Sequence, residues 1–309
     1  METKEVYNNQ VSIAICTYNG KTFLREQLDS ILNQDYAYIT EIVCVDDNST
    51  DGTWKILAEY AQKFKQIKIY RNEFNIGYVK NFELAMTLTT MPYIAIADQD
   101  DIWYPTKISK LINSIGSNLM VYSDSEYIDS AGNRLGNKLS DNRNLKSCSS
   151  CLSFALFNAI SGHNILINRE LLKYALPFNA SIPHDFWLGF HAAQHSKIQV
   201  VNEVLVGYRQ HNSNIIGAIG LKNNFESNTE RIRNSHIRNE IFAQHTASHL
   251  QKEKELFDFL ARSYVDKSFK MRLKRVSVFW KYNDELFLFK KRSKIRNLLY
   301  CFKAFWKYQ

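Results

Sequence analysis

The chain has 309 residues, 45% hydrophobic and 23% charged, with 11 Gly and 4 Pro, which excludes a disordered, collagen-like or low-complexity protein. Residues 1–220 hold 19 basic and 22 acidic side chains, whereas residues 221–309 hold 20 and 9. A mildly acidic body is therefore followed by a basic tail suited to an anionic surface.

Residues 11–16 (VSIAIC) predict a buried strand, after which Phe23, Leu24, Leu28, Ile31 and Leu32 recur at helical spacing. Residues 41–45 (EIVCV) predict a second strand that ends at Asp46 and Asp47. Ser49, Thr50, Asp51 and Gly52 open the next helix, with Trp54, Leu57, Ala58, Ala61 and Phe64 on its apolar face. A third strand follows at 67–70, a helix at 78–89, and a fourth strand at 93–97 (YIAIA) that runs into Asp98-Gln99-Asp100-Asp101. Pro105 starts a helix through Ile115, and 119–122 is a fifth strand. This alternation predicts an α/β fold with a mainly parallel, helix-covered sheet, whose ligands bind beyond the carboxyl ends of the strands. The acidic residues closing the second and fourth strands lie on that edge.

After Ser123 the pattern is mixed. It gives a polar, mobile loop at 137–150, a strand at 159–167, helices at 169–175 and 184–195, and a strand at 198–208. Past Gly220 there is no glycine, and the remainder reads as helices. Ile295, Leu298, Leu299, Phe302, Phe305 and Trp306 form an apolar stripe there, beside Lys290, Lys291, Arg292, Lys294, Arg296, Lys303 and Lys307. The expected division is a body of residues 1–220 and a basic, amphipathic helical region of residues 221–309. No run of 18 apolar residues occurs, and Met1-Glu2-Thr3-Lys4-Glu5 lacks a signal-peptide core, so a cytoplasmic protein is expected. Five cysteines do not suggest a disulfide framework, and the lone Cys148-Ser-Ser-Cys151 reads as small residues entering a helix.

Asp98, Asp100 and Asp101 are three carboxylates within four residues, and they repel one another unless something positive sits there. A hard divalent cation is the natural partner; the plainer reading is a solvated loop and helix cap. Asp47 and its neighbours up to Thr53 are good turn formers and caps, yet a carboxylate just past a buried strand also suits a base or ribose hydroxyl. Thr17, Tyr18, Asn19 and Gly20 offer a ring and polar groups to a nucleobase. Neither GxGxxG nor GxxxxGK[ST] occurs, so there is no Gly-rich phosphate loop.

The order of these segments, with the wording VSIAICTYNG, VDDNSTDGT, RNEFNIGYVKNFELA and IADQDDIW, resembles the inverting family 2 glycosyltransferases of the GT-A fold. The likeness continues through SGHNILINRELL, PHDFWLG and VLVGYRQHNSNIIG, and these later motifs resemble bacterial rhamnosyltransferase-type enzymes of cell-surface polysaccharides. The resemblance implies that Thr17, Tyr18, Asn19 and Asp47 hold the nucleotide. Asp98 and Asp100 then match the DxD motif, Asp100 as metal ligand and Asp98 toward ribose or metal, with Mg²⁺ or Mn²⁺ as cofactor. His211 joins the metal or diphosphate, Arg209 pairs with phosphate, and Asp185 is the catalytic base. His163, Trp187 and His184 fall on the acceptor side, and a protonated His184 pointing inward would depress the Asp185 pKa. The polar segment 212–220 suits a loop closing over the donor.

The implied reaction moves a sugar, rhamnose from dTDP-rhamnose being favoured, to a saccharide or lipid-linked acceptor with inversion. A UDP-hexose or UDP-N-acetylhexosamine transferase is the alternative within the class. A catalytically inactive nucleotide-binding scaffold of a polysaccharide assembly complex is the alternative outside it. The basic tail suits peripheral contact with anionic lipid at the inner face of the plasma membrane, or a homo-oligomer contact. No motif matches a nucleic-acid module, and nucleic acid is not an expected partner.

Overall fold

The computed structural model describes residues 9–211 and 228–307. Strands β1 (Val11–Thr17), β2 (Ile39–Asp46), β3 (Ile67–Arg71) and β4 (Tyr93–Ala97) lie parallel in the order β3-β2-β1-β4. Helices α1 (Leu24–Leu32), α2 (Thr53–Lys63) and α3 (Tyr78–Leu88) connect them. Every residue of β1 is buried, as a central parallel strand covered on both faces requires. Ile13 and Ile15 enter the core beneath α1 and α2; Ala14 and Cys16 enter the opposite one, beneath α3. The period of two thus feeds two separate cores.

The second half of the sheet departs from expectation. Strand β6 (Met120–Ile128) follows α4 (Lys107–Ile115), and β8 (Ile165–Asn168) is inserted antiparallel between β4 and β6. Strand β9 (Ile198–Arg209) runs parallel to β6, while β5 (Ile102–Trp103) and β7 (Arg134–Lys138) are antiparallel additions to β9 and β6. The sheet is therefore mixed, with most of its residue pairs in the parallel ladders and short antiparallel additions. Residues 162–164 form a tight 3-10 turn, so the strand expected from 159 begins at Ile165. Residues 137–150 are tied down: Leu139 and Cys148 are buried, and Asn144 N–H donates to Phe289 O at 3.0 Å. Their anchor comes from the C-terminal helices, which no local pattern could reveal.

Those helices are α8 (Asn228–His245), α9 (Gln251–Val265), α10 (Phe269–Lys281), α11 (Asn283–Leu286) and α12 (Lys294–Lys307); two short helices, α5 (Leu139–Asn142) and α6 (Leu172–Ala175), and then α7 (His184–His195), precede them. Phe242 of α8 stacks on Phe190 of α7 with ring centroids 4.0 Å apart, and both belong to the core that also packs under the sheet. The body and the helical region thus share one apolar interior. The boundary expected at 220 and the loop expected at 212–220 lie outside the described residues. All five cysteines are buried and unpaired.

Candidate active site

Three loops meet at the carboxyl ends of β1, β2 and β4. Thr17 Oγ1 donates to Asp46 Oδ1 at 2.9 Å, and Asn19 N–H donates to Ser49 Oγ at 2.9 Å. Asn19 adopts φ +50°, a left-handed conformation that Asn tolerates, and its Oδ1 accepts from Thr50 N–H at 2.9 Å. The Gln99 amide pairs with both backbone groups of Tyr18, at 2.9 and 3.0 Å, and lies so close to Gly20 that a Cβ there would sit 2.0 Å from Gln99 Oε1. Thr17 and Asn19 therefore shape the loop, and the half-exposed ring of Tyr18 is the group presented outward. Asp47 is buried; its carboxylate accepts from Asn72 Nδ2, Ile76 N–H and Gly77 N–H at 2.8, 2.8 and 3.0 Å. It fixes the entry to α3 and keeps one acceptor site of about four for another donor.

The Asp98–Asp101 cluster is compensated by residues distant in sequence. His163, on the 162–164 turn, places Nδ1 3.8 Å from Asp98 Oδ2 and 3.7 Å from Asp101 Oδ2. Its Nε2 meets Ser125 Oγ at 2.9 Å, and its ring stacks on Tyr208. Lys107 is fully buried, donates to His163 O at 2.6 Å and lies 3.2 Å from the centre of the Trp103 ring. His211 Nε2 and Asp100 Oδ2 are 2.8 Å apart. Burial by itself raises the Asp98 pKa, but the imidazole of His163, with His184 and Lys107 behind it, holds that carboxyl below its ordinary value.

Asp101 is the opposite case. Burial, with Asp100 and Asp98 adding repulsion, pushes its pKa well up, and its Oδ2 has no hydrogen-bond partner. That orphaned oxygen, Asp98 and His163 offer ligand atoms all within 4.8 Å of one another. Two carboxylates and an imidazole around an unsatisfied oxygen are a donor set that fits a small divalent cation. The acidic cluster thus splits into Asp98 with Asp101 and His163, and Asp100 with His211; Lys107 is the member that sequence reasoning missed, and Asp101 belongs to the acidic cluster but not to the ligands implied by the resemblance.

Asp185 begins α7 and is only partly exposed. Its Oδ1 accepts from Phe186 N–H at 2.7 Å. Burial raises its pKa, with Asp98 adding to the rise and His184, the Phe186 amide and Arg143 opposing it. His184 is buried, stacks on Phe82 at 4.1 Å, and has no hydrogen-bond partner on either ring nitrogen. Burial lowers its pKa, which weakens the opposition it offers to the rise at Asp185. Its Nε2 presses on Gly162, where an added Cβ would approach to 2.3 Å. Tyr78, the first residue of α3, meets the His184 ring edge-on, and burial and the charges of Asp185 and Asp98 all raise its pKa. The 162–164 turn therefore lies against the acidic cluster through His163 and against His184, the neighbour of Asp185, through Gly162.

Three expected site residues are placed elsewhere. Arg209 is fully buried: Nε donates to Asp100 O at 2.7 Å, Nη1 to Ser130 O at 2.9 Å, and Nη2 to Glu26, while Asp101 Oδ1 accepts from its backbone N–H. It braces the acidic loop from behind instead of facing a phosphate. Trp187 is a core residue whose Nε1 donates to Ala175 O at 2.7 Å, so it offers no ring to an acceptor. His163 lies behind the acidic cluster, not on the acceptor side. Arg143, missed in the polar 137–150 stretch, donates to Ser161 Oγ at 3.0 Å and faces Asp185 and His163.

Comparison with known proteins gives a consistent picture. An uncharacterized glycosyltransferase of Rickettsia typhi is 31% identical over 217 residues, 68% of this chain and 67% of that protein. One of Haemophilus influenzae is 26% identical over 218 residues, 65% of each protein, so about a third of that relative has no counterpart here. WfaP of Escherichia coli, a UDP-Glc:alpha-D-GlcNAc-diphosphoundecaprenol beta-1,3-glucosyltransferase, is 36% identical over 117 residues, 38% of this chain and 45% of its own. Among solved structures, S. aureus TarS 1–349 in complex with UDP-GlcNAc matches with a TM-score of 0.57 at 17% identity, covering 96% of this chain and 81% of that one. The likeness shows the fold, a GT-A-like mixed sheet with a helical C-terminal region. Residues 12–176, more than half the chain, match the glycosyl transferase family 2 description, and the protein belongs to that family.

Proposed function

We propose that the protein is an inverting, metal-dependent glycosyltransferase. It moves a sugar from a pyrimidine nucleoside-diphosphate donor to a hydroxyl of a saccharide or lipid-linked acceptor in bacterial surface-polysaccharide synthesis. The observation that carries this reading is the meeting of two carboxylate stations of opposite character around one short turn. The carboxyl of Asp98, beside the His163 imidazole, is held below its ordinary value, whereas burial raises that of Asp185.

In this reading the Tyr18 ring and Asp47 receive the base, and Asp98 with Asp100 faces the diphosphate. Asp98 and Asp100, with Asp101, His163 and His211 around them, would hold a divalent cation, whose charge would stabilise a departing nucleoside diphosphate. Asp185 does the proton work. Oδ1 is engaged by the Phe186 amide, which leaves Oδ2 to take the proton of the acceptor hydroxyl. The acceptor oxygen attacks the anomeric carbon, the bond to the diphosphate breaks on the opposite face, and configuration inverts. Tyr78 packs edge-on against His184, next to Asp185 in the chain.

The relatives support a UDP-sugar donor, since WfaP is named for UDP-Glc and TarS was crystallised with UDP-GlcNAc. The motifs of the later segments support dTDP-rhamnose. Incubating the protein with UDP-Glc, UDP-GlcNAc, UDP-Gal and dTDP-rhamnose, with and without Mn²⁺, separates them by thermal shift and nucleoside-diphosphate release. One donor class is expected to raise the melting temperature and release its diphosphate only with metal. Absence of any donor-dependent shift in the presence of metal would overturn the assignment.

A further inference from the structure

Among the described residues, no helix is long and apolar enough to cross a membrane, yet the C-terminal helices keep large apolar side chains in water. On α10, Phe269, Leu273 and Trp280 are 68%, 51% and 58% exposed. On α12, Ile295, Leu299 and Phe302 are 71%, 53% and 59% exposed. Each set recurs at i, i+4 and i+7 or i+11, which confines it to one stripe of its helix. The opposite faces are satisfied: Phe279 and Arg275 of α10 and Cys301 of α12 are buried, and Phe279 stacks on Tyr300 across the two helices. The exposed stripes are therefore surplus to the packing of this chain. Contiguous apolar surface of this kind marks an interaction site.

Charge narrows the partner. Five of the six exposed apolar residues are followed at once by a cation: Lys270, Lys274, Lys281, Arg296 and Lys303, all exposed. Helices α10 and α12 together carry nine Lys and Arg and no Asp or Glu. An apolar stripe flanked by cations on adjacent helices matches an anionic bilayer surface, with rings and aliphatic chains in the acyl boundary and cations at the headgroups. A second copy of this chain would have to bring one all-cationic stripe against another. We propose that the outer face of α10 and α12 is a peripheral docking surface for anionic lipid.

The test is co-sedimentation of the full chain with vesicles of phosphatidylcholine alone or with 30% phosphatidylglycerol. Binding is expected only to the anionic vesicles, weakening as salt rises. The triple variant Phe269→Ser, Trp280→Ser, Phe302→Ser is expected to lose at least tenfold in partitioning while nucleoside-diphosphate release in solution stays unchanged. Should that variant misfold by circular dichroism, Lys270→Glu, Lys281→Glu, Arg296→Glu is expected to give the same loss. Failure to bind either vesicle, or unchanged binding by a folded variant, overturns the proposal. So does a wild-type dimer in light scattering that the triple variant converts to monomer, because the face would then be an interface between copies.

Discussion

Two stations built from the same residue type behave in opposite ways. At the carboxyl end of β4, Asp98 is partly buried but lies beside His163 with Lys107 and His184 near it, and its carboxyl is held below the ordinary value. At the start of α7, Asp185 has one backbone N–H and little else, and burial carries its pKa upward. Both lose solvation; at Asp98 the interaction with His163 outweighs that loss, and at Asp185 the pull of His184, the Phe186 amide and Arg143 does not. A carboxylate that stays ionised suits holding a cation, and one that is poised upward suits taking a proton.

The sharpest way to break that assignment is Asp185→Asn, which keeps shape and removes the base. Turnover is expected to fall by about 10²–10⁴-fold while the donor-induced thermal shift persists. A variant with full turnover would place the base elsewhere. The pH profile gives an independent reading. Because the base must be ionised and its pKa is raised from 3.8, kcat/KM is expected to fall with decreasing pH at a point above that value. Asp100→Asn should act on the other station: turnover is expected to drop on the order of 10²-fold, with more Mn²⁺ needed for half-maximal rate. A loss that excess metal cannot relieve even in part would sever Asp100 from metal binding.

The bracing of the acidic loop is open to the same treatment through Arg209. Its guanidinium is fully buried and holds Asp100 O, Ser130 O and Glu26 together. Arg209→Met leaves those acceptors without their donor. It is expected to lower stability by about 1–3 kcal/mol, measured by urea unfolding. If instead stability holds and only donor affinity falls, Arg209 would belong with the phosphate after all.

What the sequence disclosed followed from local rules. The strand at 93–97, the helix at 184–195 and the acidic residues at the sheet edge are each written in a few consecutive residues, and the structure has them there. What it concealed depends on residues distant along the chain. Nothing near Asp98 shows that His163 will come beside it, because β8 enters the sheet antiparallel from 65 residues further on. Lys107 looks like a solvated residue at a helix start and is instead buried against Trp103. Arg209 at a strand end reads as solvent-facing, and only the fold turns it inward. Asp185 lies beyond residues 12–176, so the family match does not reach it.

Helix α7 supplies a control for the comparison, and the smallest expected effect. His191 lies two turns beyond Asp185, is buried with its Nε2 unpartnered, and packs edge-on to Trp187 at 4.5 Å and Phe190 at 5.1 Å. Burial, with the neighbouring His245 and His195, lowers its pKa from 6.5 to about 3. The unfolded chain therefore takes up a proton as pH falls below about 6.5 that the folded chain refuses, so stability drops with pH across that window. The slope is about 1.4 kcal/mol per pH unit for one such group. His191→Phe keeps an aromatic ring against Trp187 and removes the titration. Its stability curve between pH 6 and 4 is expected to be shallower by that amount, with the residual slope coming from the buried His163 and His184. An unchanged slope would mean that His191 is solvated or protonated in the folded state. Desolvation would then not be the force that raises the Asp185 pKa either.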